Sequence, residues 1–315
     1  MHSKSRHLLA DIGDQIFLTD GGMETVMVFH EGIDLPQFAS FTLLGSEEGR
    51  AALTKYYTAF LDEAAAQRAG FLLDTPTWRA SAGWGKVMGL APEQIDAINR
   101  EAVALVQKLR ADRPPQPQPI LINGVIGPHG DAYAPEQALS PETAHNYHHR
   151  QVAVLAAAGV DLISAMTLSS HGEAIGIAKA ADEFDQPVTL SFTVETDGRL
   201  INGMSLADAI HRTDDATDAA PLWYGINCAH PEHFRNILHG DWVERIGSVR
   251  ANASRRSHAE LDEATELDDG DVSELAQDYH QLLHMLPGLH VVGGCCGTDL
   301  RHVAAIGRSC LHHQH

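Results

Sequence analysis

Residues 140–166 read SPETAHNYHHRQVAVLAAAGVDLISAM and contain one helix-and-strand unit. Ser140, followed by proline and glutamate, provides a helix start with proline at the first helical position. Gly159 lies where the helical period ends, and glycine there can adopt a left-handed cap. A short apolar run follows it, as in a buried strand. The stretch therefore predicts a helix over 140–158 and a strand over 161–166.

This alternation of a short apolar run, a loop and an amphipathic helical stretch occurs eight times along the chain. The predicted strands cover 16–20, 71–75, 120–125, 161–166, 188–193, 223–228, 246–251 and 290–294. The predicted helices lie near 46–69, 92–110, 140–158, 171–184, 205–212, 231–238, 272–285 and 299–308.

Eight such units in 315 residues predict a single-domain α/β protein, a (β/α)8 TIM barrel over residues 1–315. The main alternative is a doubly wound open sheet. Its nucleotide-binding form needs a glycine-rich turn after the first strand and an acid about 20 residues later. The turn at 20–25 reads DGGMET and lacks that spacing, so the pattern favours the barrel.

The composition is strongly acidic, with 22 Lys and Arg against 42 Asp and Glu and a formal net charge of −20. Such a surface repels phosphate backbones and anionic lipid, which argues against nucleic acid and membranes as partners but leaves cationic small molecules possible. The first 17 residues lack a signal-peptide pattern. No apolar run approaches the ~18–20 residues of a membrane span. We expect a cytoplasmic protein of unknown oligomeric state.

Two polar stretches are predicted to be insertions in the barrel rather than domain boundaries. Residues 112–119, DRPPQPQP, should form a stiff, extended connector. Residues 253–271, which end in ELDEATELDDGD, admit two interpretations. They form either a solvated loop with a short helix, or a lid, since loops that follow barrel strands surround the active site.

Three of the four cysteines follow predicted strands at one end of the barrel. Cys228 ends the sixth strand in YGINCAH, and Cys295 and Cys296 end the eighth in VVGGCCGT. Carboxyl ends of barrel strands converge, so these thiols should meet there. Three thiolates suit Zn2+ and leave a fourth position open, as in catalytic sites. The alternative is three buried structural thiols. Cys310 lacks this placement and is predicted to be a packed or surface thiol.

A zinc ion with three thiolate ligands carries a formal charge of −1 and generates hydroxide from water poorly. It binds a further thiol well and holds it as thiolate near neutral pH, below the free cysteine pKa of ~8.5. The donor set therefore predicts alkyl transfer to a substrate thiol. A zinc hydrolase would instead use histidine or carboxylate ligands with a general base, and a non-catalytic zinc- or thiol-binding barrel is a further alternative.

The same residues resemble those of the zinc-dependent homocysteine S-methyltransferases. This family includes the S-methylmethionine and betaine enzymes and the homocysteine-binding barrel of cobalamin-dependent methionine synthase. The resemblance extends over nearly the whole chain and is most specific in the paired cysteines and the upstream NC. It rests, in order, on LTDGGMET (18–25), TPTWRAS (75–81), GVIGPHGD (124–131), SFT (191–193), INCAHP (226–231) and VVGGCCGTDLRHVAAI (291–306).

The resemblance implies a (β/α)8 barrel with zinc held by Cys228, Cys295 and Cys296. It also implies that Asp20 helps to anchor the amino group of the acceptor, although a carboxylate that caps its own turn is the simpler interpretation. The acceptor would be a small-molecule thiol such as homocysteine, giving methionine. Because no folate or cobalamin domain accompanies the barrel, a sulfonium or quaternary ammonium compound is the expected methyl donor.

The fourth strand departs from the family pattern. Where the family usually carries an acid that pairs with the acceptor's ammonium group, this chain has Met166 in ISAMTLSS. A thioether cannot replace a charge-assisted hydrogen bond. Met166 therefore favours a non-standard acceptor, unless Glu24 or Glu195, which both follow strands, supplies the missing carboxylate.

Several polar residues are weaker candidates. Asn227 and Asn252 follow strands and are predicted to be polar contacts in the barrel mouth, and His230 lies two residues beyond a predicted ligand. A second metal between the histidines of the helical stretch 140–158 is less favoured than a polar helix face. These are His145, His148 and His149, and the terminal HHQH (312–315) lies outside the predicted site.

Overall fold

The computed structural model describes residues 3–13, 15–131 and 138–311. Eight parallel strands pair in sequence order, and the first pairs with the last to close a barrel. This closure confirms the predicted (β/α)8 fold and excludes the open doubly wound sheet. The strands are β1 (Phe17–Leu18), β2 (Gly70–Asp74), β3 (Ile120–Ile126), β4 (Leu162–Leu168), β5 (Val188–Phe192), β6 (Tyr224–Asn227), β7 (Ile246–Ala251) and β8 (Val291–Gly294).

The helices lie outside the barrel or in its loops, and most agree with the predicted spans. They are α1 (Ser3–Ile12), α2 (Met23–Thr25), α3 (Glu47–Gln67), α4 (Ala82–Val87), α5 (Pro92–Ala111), α6 (Pro141–Ala158), α7 (His171–Asp182), α8 (Leu206–Thr217), α9 (Pro231–Phe234), α10 (His258–Asp262), α11 (Val272–Met285) and α12 (Leu300–Leu311). A π-helix covers Val26–His30, and 3-10 helices cover Pro36–Phe38, Ser40–Gly45, Arg235–Ile237 and Asp241–Arg245.

The predicted start and end of the helix over 140–158 are confirmed in α6. The Ser140 hydroxyl accepts the N–H of Thr143, and Gly159 caps the other end at a φ of +87°. The connector 112–119 contains neither helix nor strand. In the described part of the chain, every helix is too short or too polar to span a bilayer.

Helix α1, which the sequence did not predict, closes the amino-terminal end of the barrel. Its Leu8 and Ile12 are buried in an apolar cluster separate from the main core. Their partners come from the starts of the strands and include Phe17, Leu121 and Leu162. Because this end is filled with apolar side chains, a substrate must enter at the opposite end.

Six of the eight strands end one or two residues from the predicted position at the open end of the barrel, and two of these differences affect the cavity. β6 stops at Asn227, one residue short, so Cys228 lies beyond the strand with a φ of +54°. β4 continues to Leu168 and contains Thr167 at a φ of +63°, where its register with β5 shifts. Left-handed backbone at non-glycine residues costs free energy and is typical of functional sites.

Candidate metal centre and substrate cavity

A cavity of about 480 Å3 opens at the carboxyl ends of the strands. Its walls include all three predicted ligand cysteines, the predicted substrate contacts Asp20, Glu24, Asn227 and Asn252, and Met166, which stands where the family's acid is expected. This confirms that the loops after the strands bring these residues, distant in sequence, to one place.

The sulfur atoms of Cys228, Cys295 and Cys296 all lie within 4.8 Å of one another. Cys228 is 3% exposed, and the other two cysteines are partly exposed toward the cavity. Within the described ranges of the chain, this is the one group of three metal-binding side chains found with ligand atoms so close together.

The structure joins Cys228 and Cys295 in a disulfide, with the two Cα atoms 5.4 Å apart. Cys296 remains a thiol, and its Sγ lies 3.8 Å from the Sγ of Cys228. A cluster close enough to form this bond is also close enough to share one metal ion when reduced. Only the reduced form supplies three thiolates, so oxidation and metal binding exclude each other.

The donor set fits zinc because three soft sulfur ligands converge beside an open cavity. Glycines make the turn that carries two of them. Gly297 has a φ of +78°, and a Cβ atom at Gly294 would lie 1.9 Å from Thr298 Oγ1. The Thr298 hydroxyl also donates to the Cys295 carbonyl at 2.7 Å. No larger residue could replace Gly294 without moving this turn.

Cys310 lies apart from this cluster, buried in α12. Burial raises the pKa of its thiol to about 12. The side chain is therefore a packed neutral thiol, one of the two possibilities that the sequence predicted.

Asn227 connects the cysteine cluster to the end of β4. Its Oδ1 accepts the Thr167 N–H at 2.8 Å, and its Nδ2 donates to the Thr167 hydroxyl at 2.8 Å. The same Nδ2 lies 4.0 Å from Cys295 Sγ. The side chain thus stabilises the left-handed backbone of Thr167, directly after Met166.

A buried ion-pair group that the sequence did not predict crosses the cavity floor. The Arg250 guanidinium donates to the carboxylates of Asp20 and Asp74, and its Nε donates to the Gly294 carbonyl at 3.1 Å. These contacts join four strands or strand ends across the barrel. A charged residue inside the apolar run 246–251 was the signal in the sequence, since a buried charge requires buried partners.

This group contains more negative than positive charge. Burial raises the pKa of Asp20 to about 7, Arg250 opposes the shift, and Asp74 and Glu24 add to it. Burial alone would lower the pKa of Arg250, but Asp74 and Asp20 raise it above its ordinary value. Asp20 is therefore an ion-pair partner of a protein side chain as well as a candidate substrate contact.

The two acids proposed to compensate for Met166 lie in different environments. Glu24 lies half-buried in the cavity wall, where the Ser40 hydroxyl donates to its Oε1 at 2.7 Å. Burial raises the pKa of Glu24, and the bond from Ser40 opposes that shift. Glu195 does not line this cavity, its side chain is 34% exposed, and its Oε1 lies 3.3 Å from His258 Nδ1. Of the two, only Glu24 is placed to contact a substrate.

The histidine candidates fall outside the cavity. His230 caps α9 by accepting the Glu232 N–H at 3.2 Å, and burial lowers its pKa to about 4. His145 and His149 both contact Glu183, while His148 is buried against Glu173. His145 and His149 therefore agree with the predicted polar helix face, whereas His148 does not, because it is fully buried. The terminal residues 312–315 lie outside the described residues.

The segment 253–271 contains the short helix α10, and part of it also covers the cavity mouth. Its cavity-lining residues are Ser254, His258, Leu261, Ala264, Glu266, Leu267 and Asp268. Both interpretations of this segment therefore hold in part, since a polar loop with a short helix occupies the position of a lid.

Comparisons with known proteins identify the family of this chain. A family model described as homocysteine S-methyltransferase matches residues 17–310. Homocysteine S-methyltransferase 3 of Zea mays is 24% identical over 328 residues, covering 94% of this chain and 91% of that protein. Homocysteine S-methyltransferase of Escherichia coli is 26% identical over 245 residues, covering 74% and 77%. Selenocysteine Se-methyltransferase of Brassica oleracea is 24% identical over 330 residues, covering 96% and 90%.

Two crystal structures share the fold. They are the oxidized and metallated forms of the homocysteine methyltransferase MmuM from Escherichia coli, with TM-scores of 0.77 and 0.75 and identities of 24% and 23%. Each comparison covers 96% of this chain and 99% of the other. At this level of identity the similarity establishes the barrel architecture.

Proposed function

This chain belongs to the homocysteine S-methyltransferase family and is an enzyme that methylates homocysteine. We propose that the reaction depends on a zinc ion and that Cys228, Cys295 and Cys296 hold it. The observation that carries the proposal is the convergence of three sulfur atoms within 4.8 Å beside the cavity. Bound there, zinc would keep the acceptor's thiol in its nucleophilic thiolate form near neutral pH. A hydrolase finds no support in this all-sulfur donor set.

The chain's own residues would hold the acceptor beside this cluster. Glu24 lies half-buried in the cavity wall, where its Oε1 accepts a hydrogen bond from the neutral Ser40 hydroxyl, so its carboxylate is suited to the acceptor's ammonium group. Asp20, engaged by Arg250, would add negative charge at the same end of the cavity. Asn227 would maintain the shape of the wall beside Met166. We propose that Glu24 takes the place of the acid that β4 lacks.

The cavity also suits a cationic methyl donor. Acidic residues at its walls, among them Asp131, Glu266 and Asp268, would attract a positive charge. Phe29 and Trp78 line the same space, and aromatic faces stabilise sulfonium and quaternary ammonium groups by cation–π attraction. We propose a self-contained donor of this charge type, with the methyl group passing directly to the acceptor's sulfur.

Residues 1–315 would form one methyltransferase domain, because the barrel and the family match extend across most of the chain. The cytoplasm is the proposed compartment, since its reducing environment keeps the clustered cysteines as thiols.

A matrix of methyl donors and thiols tests the proposed reaction. We expect the reduced, zinc-loaded protein to form methionine from homocysteine with a sulfonium or quaternary ammonium donor, and to lose this activity when a chelator removes the metal. Methyltetrahydrofolate, which is neither a sulfonium nor a quaternary ammonium compound, is the control donor and should give no product. Product formation that survives complete metal removal would contradict the proposal.

A further inference from the structure

Three side chains from three parts of the barrel donate to the main-chain carbonyl of Cys228. Asn252, after β7, donates from Nδ2 at 3.0 Å, and Thr193, after β5, donates from Oγ1 at 3.4 Å. His258, on α10, lies with Nε2 at 2.6 Å from the same oxygen. A carbonyl oxygen only accepts, so this histidine nitrogen carries the proton.

The carbonyl of Cys228 needs this support because the residue adopts a conformation that side chains disfavour. Its φ is +54°, in the left-handed region, where a non-glycine residue persists only when its surroundings hold it. The Cys228 N–H donates to the Arg250 carbonyl at 3.0 Å, which fixes the other side of the residue. Together these bonds set the direction in which Sγ leaves the backbone, toward Cys295 and Cys296.

His258 differs from the other two donors because it belongs to the segment that covers the cavity. It is 8% exposed, and its ring also contacts the Thr193 hydroxyl at 3.5 Å and Glu195 at 3.3 Å. Within the segment, Ser254 donates to Asp268 at 2.7 Å. Because His258 belongs to the segment that lines the cavity mouth, the position of 253–271 and the hydrogen bond from His258 to the Cys228 carbonyl depend on each other.

We propose that His258 is a positioning residue for Cys228, through which closure of segment 253–271 holds the metal ligand in place. This rests on the proposed zinc site and extends it, because it links retention of the metal to the position of the segment. The linkage is reciprocal: if closure strengthens metal binding by some factor, the metal favours closure by the same factor.

The first test compares zinc release in two substitutions. Changes to groups that support metal ligands typically reduce metal affinity about 10- to 100-fold. We expect His258→Ala to release zinc to a chromogenic chelator faster than wild type by a factor in that range. His258→Gln, whose side-chain amide can donate from nearly the same place, should stay within about threefold of wild type, since it restores the hydrogen bond.

A matched control separates this effect from a general loosening of the segment. His233 contacts the Arg255 carbonyl at 2.9 Å, at the start of the same segment, rather than the Cys228 carbonyl. His233→Ala should release zinc at the wild-type rate. Hydrogen exchange supplies a second readout. Zinc should slow exchange over residues 258–268 in wild type and should have little effect there in His258→Ala.

The outcomes distinguish this inference from the function on which it rests. A reduced wild-type protein that holds no zinc would overturn the proposed metal site and this inference with it. Equal release rates for wild type, His258→Ala and His258→Gln in protein that does bind zinc would overturn the positioning role alone. Rates raised equally in both substitutions would also contradict it, because the hydrogen bond would then be irrelevant.

Discussion

Serine at Cys228, Cys295 or Cys296 should release most of the zinc and lower kcat/KM for homocysteine methylation by more than about 100-fold. The loss should exceed the 10- to 100-fold effect of changing a group that only supports a ligand, because a hydroxyl is a far poorer zinc ligand than a thiolate. Zinc per chain, measured by atomic emission on protein purified under reducing conditions, and initial rates check this together.

Cys310→Ser is the matched control for those three substitutions. This thiol is buried in α12 and separate from the cluster, so the variant should hold as much zinc as wild type. The experiment requires a reductant, since the disulfide between Cys228 and Cys295 would remove two ligands at once. Full zinc retention in all three cluster variants would contradict the proposal that these cysteines bind zinc.

Glu24→Gln should reduce kcat/KM for homocysteine by about tenfold to 150-fold. That range corresponds to the roughly 1.5–3 kcal/mol of a hydrogen bond to a charged group. The substitution preserves shape and the contact with Ser40 but removes the charge that would pair with the ammonium group. The kcat/KM for a thiol without that group, such as 3-mercaptopropionate, should fall much less. The ratio of the two kcat/KM values is therefore the quantity to measure.

The pH dependence of the preference for homocysteine should identify the same carboxylate, that of Glu24. Burial raises the pKa of Glu24, so its carboxylate is charged only above that raised value. The preference for homocysteine should therefore fall as the pH decreases through it, while Glu24→Gln should show a low preference that no longer follows this titration. Glu195→Gln is the control and should keep the wild-type preference for homocysteine and its pH dependence, because Glu195 does not line the cavity. A loss of selectivity in Glu195→Gln, with Glu24→Gln unchanged, would reverse the assignment.

The fold was predictable because its signals are local. Each strand is a short apolar run and each long helix has an amphipathic period, so the alternation could be counted directly. Helix α1 was missed, although Leu8 and Ile12 have helical spacing and lie on its buried face. Two apolar residues in a polar stretch are a weak signal until the barrel end that they cover is known.

The cysteine cluster was predictable because strand ends in a barrel converge by geometry alone. The contacts around the cluster could not be predicted. Arg250 meets Asp20 and Asp74 across 230 and 176 residues of sequence, and no local pattern specifies which acids a buried arginine will reach. Likewise, the sequence left Glu24 and Glu195 as equal candidates, since only the folded loops show which one faces the cavity.

The exact residues at which strands end could not be predicted from the sequence either. Cys228 was predicted to end a strand but lies past it in left-handed backbone. That difference of one residue changes the direction of its side chain and requires the three donors that converge on its carbonyl. Such detail depends on tertiary contacts, which override local propensity.

Binding of homocysteine to cobalt-substituted protein tests the central claim most directly, namely that the three-cysteine cluster is a metal centre that receives the acceptor's sulfur. The reduced protein with one cobalt ion per chain should show thiolate-to-metal charge-transfer absorption, and homocysteine should strengthen it while releasing one proton per site. The same cobalt protein, given a sulfonium or quaternary ammonium methyl donor, should convert homocysteine to methionine. A spectrum and proton count that homocysteine leaves unchanged, in protein that still methylates it, would contradict the account.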